Sequence, residues 1–183
     1  MSHALARESR TIRGRPHRVI AMSDTRGSAG RLPLGRERPR GVRAAEERSA
    51  GGVVVKGDDV LVVVPARRAA NGARVLALPK GHLDGEESDE QAAAREVREE
   101  GGVEAELVEP LGEVRYHYRR NGRLISKQVR FFLFEFRSGS PADHDHEIED
   151  ARWLAMTEAI KQLTYPGERE MVASALSKTR ADR

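Results

Sequence analysis

Two runs rich in β-branched residues, Gly51-Gly52-Val53-Val54-Val55 and Val60-Leu61-Val62-Val63-Val64, stand on either side of Gly57-Asp58-Asp59. Unbroken apolar runs of this length, bounded by turn residues, predict two buried strands joined by a turn. A third run, residues 74–78, predicts another strand and leads into Pro79-Lys80-Gly81. The pattern then changes. Ala93, Ala94 and Val97 share one side of a helical wheel, Ser88 with Gln91 three residues on is a capping-box pattern, and Gly101-Gly102 supplies a stop, so a helix is predicted from about Asp89. Strand patterns return at 105–108, 112–118 and 124–136. The Asn121-Gly122 pair between the last two predicts a hairpin, because both central residues of a type I′ turn need positive φ. A last strand over 149–154 and terminal helices over 157–163 and 168–176 complete the pattern, with Thr157 as the cap of the first and Trp153 in the core. No internal repeat is present. Strands with intervening and terminal helices predict an α/β fold with a mixed sheet packed between helices.

Composition narrows the classes. At 183 residues with 38% hydrophobic content the chain can bury one ordinary core. No run approaches the roughly 20 apolar residues of a membrane span, and with no cysteine there is neither a disulfide framework nor a thiolate metal site. A cytoplasmic protein, monomer or homodimer, with no membrane partner is expected. Charge is uneven: residues 1–50 carry twelve Arg, no Lys and five acids, a net of +7, which leaves −4 for the rest of a chain whose total is +3. That basic segment has no aromatic residue and recurrent Gly and Pro, too little apolar surface to offset chain entropy. Residues 1–47 are therefore expected to be a disordered Arg-rich extension, with Met22 an alternative start, and 48–180 the folded domain. A nucleic-acid-binding arm and an organelle transit peptide are the other readings of the extension, and nucleic acid is expected as a partner only through it.

The chemistry is concentrated on the predicted helix. Glu96, Glu99 and Glu100 stand at i, i+3 and i+4 and project from one face. Such like charges repel by roughly 0.2–0.5 kcal/mol per pair, and a hard divalent cation with a taste for oxygen ligands would reverse that sign. Around them, Gly81, Glu87, Arg95, Glu96, Val97, Glu99, Glu100, Gly102 and Val103 fall at the spacing of the Nudix hydrolase motif with no insertion, so the chain resembles that family. The resemblance implies a Nudix-type α/β/α sandwich with a mixed β-sheet and a metal-dependent attack of water on a phosphoanhydride, with Mg²⁺ or Mn²⁺ as cofactor. It also implies residue roles: Glu99 and Glu100 as metal ligands, Glu96 as a ligand or the base, the Gly81 carbonyl as a ligand, and a Glu87–Arg95 ion pair holding loop against helix. A further acidic ligand is expected from the loop 144–150, with Glu147 preferred over Glu149. His144 and His146 lack a third nitrogen donor nearby, which argues against zinc.

Substrate choice has to come from outside the motif. Pro79-Lys80-Gly81-His82, Arg115-Tyr116-His117-Tyr118 and Leu163-Thr164-Tyr165-Pro166 resemble segments of Nudix enzymes that hydrolyse dinucleoside polyphosphates. The substrate-binding residues expected on that basis are Lys80, His82, Tyr116, Tyr118 and Tyr165. Strand alternation puts Tyr116 and Tyr118 on one face and His117 on the other. The expected substrate is a small nucleotide, a diadenosine polyphosphate by preference. The alternatives are an (oxidised) nucleoside triphosphate, a 5′-triphosphorylated RNA, or less readily a diphosphoinositol phosphate reached by Lys80, Arg67 and Arg68. A non-catalytic nucleotide sensor would be expected to have lost motif carboxylates, and none is lost here.

Overall fold

The computed structural model describes residues 45–69 and 72–181. Of the expected extension, residues 1–44 lie outside the described residues, and the expected boundary at residue 48 falls inside a strand. That strand, β1 (Ala45–Lys56), turns at Gly57-Asp58 into β2 (Asp59–Pro65). After an irregular stretch come the short β3 (Lys80–His82) and helix α1 (Asp89–Glu99). A long hairpin follows, β4 (Val103–Arg120) and β5 (Arg123–Gly139), then a 3-10 turn at Pro141–Asp143, β6 (Ile148–Ala155), α2 (Met156–Gln162) and α3 (Pro166–Ala181).

The sheet runs β4-β5-β1-β2-β6, with β3 paired to β1 off this path. Among the described residues only β1 and β5 are parallel, from Ala45↔Ile125 to Val55↔Glu135; the other pairs are antiparallel, so the sheet is mixed as expected. Alternation along β1 sends residues to two cores. Val53 and Val55 join Val60, Val62, Val129, Phe131 and Leu133 beneath α2 and α3. Ala50 and Val54 join Leu61, Phe132 and Phe134 beneath Ala92, Ala93 and Val97 of α1. Helices on both faces make the α/β/α sandwich, and Trp153 packs edge-on to Phe136 at 5.2 Å at the margin of the second core.

Several elements form for the reasons read from the sequence. Ser88 caps α1 with the reciprocal Gln91 bond in place. Asn121 and Gly122 take φ of 52° and 76°, the left-handed pair that the hairpin needs. Others differ. The segments 105–108 and 112–118 are one strand, bulged three times where its register to β5 slips. Residues 74–78 form no strand beyond a bridge between Ala77 and Val63, because their remaining backbone groups turn to the helical layer. Leu76 exchanges bonds with Thr164, and Leu78 donates to the Glu168 carboxylate. Thr157 does not cap α2; the cap position is Ala155, with no side-chain bond. No helix among the described residues is long and apolar enough to cross a membrane.

Candidate metal and nucleotide site

Arg95 organises the carboxylates. Its Nε and Nη2 bind the two Glu87 oxygens at 2.9 and 3.0 Å, Nη1 reaches Glu96 at 2.8 Å and Glu99 at 3.0 Å, and Nη2 also donates to the His82 carbonyl at 2.9 Å. Five N–H groups thus meet five acceptors, tying the loop at His82–Glu87 to the helix. The guanidinium bonds hold the Glu87 carboxyl below its ordinary range, helped by the Asp84 N–H. Glu96 is 8% exposed and lies against Gly81, where a Cβ would approach its Oε1 to 1.9 Å. Only glycine lets the loop backbone come this close. Burial raises the Glu96 carboxyl, with Arg95 opposing and the charges of Glu99 and Glu147 adding to the rise. Burial likewise pushes Glu100 up to about 7, despite the pull of the Lys80 ammonium and the Lys80 N–H bond at 2.8 Å. Glu99 is the outer member of the three, its side chain 48% exposed.

The loop before β6 closes on this end of α1 through Asp145 N–H to the Glu99 carbonyl at 2.8 Å. Asp145 and Glu147 thereby enter the field of Glu100 and Glu96 respectively, while Glu149 turns away to pair with Arg68 and Arg74. Among the described residues, however, no three acidic or histidine side chains converge tightly enough to hold an ion as they stand; Arg95 draws Glu96 and Glu99 towards itself. The donor set still suits a hard divalent cation. It is all oxygen, it is short of positive charge, and two of its carboxylates are enclosed with raised proton affinity.

Lys80 connects this cluster to the opposite layer. Its ammonium pairs with Glu168 at 3.0 Å and lies 5.7 Å from the Tyr165 ring centre. Burial lowers its proton affinity, but Glu168 and Glu100 outweigh that and the net shift is upward. Beside it a pocket of about 290 Å³ opens between β4, β5 and the start of α3, lined by Tyr116, Val129, Phe131, Tyr165 and Glu168 among others. Tyr116 and Tyr118 share a face with ring centres 6.1 Å apart, but Tyr118 lies outside this lining and donates its hydroxyl to Glu47 at 2.7 Å. His82 points to the same Glu47, at 3.9 Å, with its Nδ1 3.3 Å from the Arg48 carbonyl. The structure therefore gathers Lys80, Tyr116 and Tyr165 at one pocket and leaves His82 and Tyr118 beside it. Glu168, which lines the pocket, and Glu47, which meets Tyr118 and His82, are not among the residues that the sequence pattern points to. Glu168 follows Pro166-Gly167 at a helix start, where an acid reads simply as a first-turn residue.

A family model described as NUDIX domain matches residues 46–175. Over 139 residues the chain is 33% identical to a putative mutator protein MutT4 of Mycobacterium tuberculosis (strain CDC 1551 / Oshkosh), covering 73% of this chain and 56% of that protein. It thus spans little more than half of that relative's length. It is 31% identical over 115 residues to an asymmetrical bis(5′-nucleosyl)-tetraphosphatase of Rattus norvegicus, covering 60% of this chain and 75% of the rat protein. A solved NUDIX hydrolase from Nitrosomonas europaea matches with a TM-score of 0.60 at 25% identity, over 73% of this chain and 90% of that one. Since the family model runs from the first residues of β1 into α3 and takes in the helix on which the carboxylates stand, the chain belongs to the NUDIX family.

Proposed function

We propose that the chain is a metal-dependent pyrophosphohydrolase that cleaves nucleoside polyphosphates, preferring diadenosine polyphosphates. The observation that carries this reading is the pocket bounded by Tyr116 and Tyr165, reached from the carboxylate cluster through Lys80. Hydrolysis of a phosphoanhydride needs screening of phosphate charge, a positioned water and a stabilised leaving phosphate. Mg²⁺ or Mn²⁺, held by Glu96, Glu99 and Glu100 with the Gly81 carbonyl and Glu147, would supply the charge screening and acidify the water. The chain's own residues provide the frame. Arg95 and Glu87 fix the loop against the helix, Glu96 or a neighbouring carboxylate takes the proton of the attacking water, and Tyr116 and Tyr165 offer aromatic surface to a base.

The rat relative is named for action on a dinucleoside tetraphosphate, which favours this substrate. A relative in Mycolicibacterium smegmatis (strain ATCC 700084 / mc(2)155), 36% identical over 95 residues that cover 52% of this chain and 28% of that protein, is named as an 8-oxo-(d)GTP phosphatase, which favours the second reading, hydrolysis of oxidised nucleoside triphosphates in the same pocket. A panel of substrates with Mg²⁺, with all products quantified by chromatography, separates the two. Tyr116→Ala should weaken transition-state binding of diadenosine tetraphosphate by about 1–3 kcal/mol. A wild-type enzyme that ignores dinucleoside polyphosphates and cleaves oxidised purine triphosphates would move the assignment to the second reading.

A further inference from the structure

The half-buried Lys127 is the strand neighbour of Tyr116, which lines the pocket, and the proposed reaction gives it no task. On β5 it stands in register with Glu47 of β1 on one side and Tyr116 of β4 on the other, so all three share the pocket's face of the sheet. Its neighbouring acid is already engaged: Glu47 accepts the Tyr118 hydroxyl, pairs with Arg120 and faces His82. Lys127 itself makes no ion pair among the described residues. Burial, then the charges of Lys80 and Arg120, lower its proton affinity, and Glu47 and Glu96 offset this only in part.

Cations continue outward from that point. Arg120 and Arg123 face each other across the Asn121-Gly122 turn and line a surface depression of about 470 Å³ with Ala45 and Ile125. Lys127 and Arg123 stand four positions apart on β5, about 13 Å of strand, so the positive charge forms a line rather than a point. Among the described residues Glu47 is the one carboxylate among these three cations and is already paired with Arg120, so the line keeps a net positive charge that a further anion would balance.

We propose that Lys127, Arg120 and Arg123 form a second anion subsite that holds condensed phosphate groups lying beyond the scissile anhydride and makes the enzyme discriminate by polyphosphate length. This rests on the pyrophosphohydrolase reading for its catalytic consequence, but the binding itself can be measured without turnover. Calorimetry on the full chain in EDTA, with inorganic tetrapolyphosphate and pyrophosphate as ligands, removes divalent cations from the comparison. Lys127→Ala and Arg123→Ala should each raise the tetrapolyphosphate Kd about tenfold and the pyrophosphate Kd much less, with a steeper salt dependence for the longer ligand. Arg137→Ala, the same charge change at the far end of the hairpin where Arg137 pairs with Glu106 and Glu135, serves as the control. With Mg²⁺, the same two variants should lower kcat/KM more for tetraphosphates than for triphosphates. The proposal is overturned if wild type does not bind tetrapolyphosphate, if both ligands weaken equally, or if Arg137→Ala produces the same loss. If length-dependent binding holds while no dinucleoside polyphosphate is cleaved, the subsite stands and the substrate reading falls.

Discussion

Each carboxylate on α1 has its own surroundings, and those divide the work between them. Glu99 is open and bonded to Arg95, Glu96 is pressed against the Gly81 backbone, and Glu100 is enclosed with a Lys80 N–H on one oxygen. Replacing Glu99 or Glu100 by Gln keeps the shape and an acceptor oxygen but removes a charge. Turnover should fall at least ~10²-fold while circular dichroism stays near wild type and Tm does not fall; folded variants with near-normal activity would remove the metal assignment. The motif residues were legible in the sequence because their spacing is local and a helix turns spacing into direction. Glu168 was not, since the backbone N–H it accepts lies 90 residues away. Nor was Glu47, whose Tyr118 partner is 71 residues away. Lys127 becomes notable only once β1 and β4 are laid beside it.

At the scale of the element, α1 is held by its ends as much as by its buried face. The Ser88 box satisfies its first N–H groups, and Asp89 at its start is clasped by Arg48 of β1 and Arg130 of β5. Ser88→Ala should cost about 1 kcal/mol in urea-induced unfolding, with the m-value unchanged; no loss would mean that the Asp89 clasp alone holds the helix start. Elements with a strong local signal were the readable ones: the valine runs, the capped helix and the Asn-Gly hairpin. The first residues of β1, Ala45-Glu46-Glu47-Arg48, carry no strand pattern and become strand because β5 presents a matching parallel edge. Residues 74–78 have the pattern yet lose the strand, because Thr164 and Glu168 claim their backbone groups. Tertiary partners overrode propensity in both directions.

Across the whole molecule, β3 joins the two layers: Gly81 lies against Glu96 of α1 and Lys80 pairs with Glu168 of α3. Charge enclosed at that junction makes stability depend on pH. Glu100 and Glu96 bind protons more tightly when folded, so between the ordinary value of 4.5 and about 7 for Glu100 the native state holds the extra proton and stability falls as pH rises. In EDTA, Tm should therefore drop from about pH 5 to about pH 7.5, and Mg²⁺ should restore more at the upper end than at the lower. A Tm in EDTA that climbs through this window would show that these carboxylates are not enclosed as charges. The parallel pairing of β1 with β5 has a different kind of consequence, one of time. It joins residue 45 to residue 125 and residue 55 to residue 135, contacts that close only after long stretches of chain have been ordered, which slows folding. A valine-rich strand made early in synthesis must then wait for a partner made late, and during that interval it is the surface that a chaperone, or a neighbouring unfolded chain, would meet.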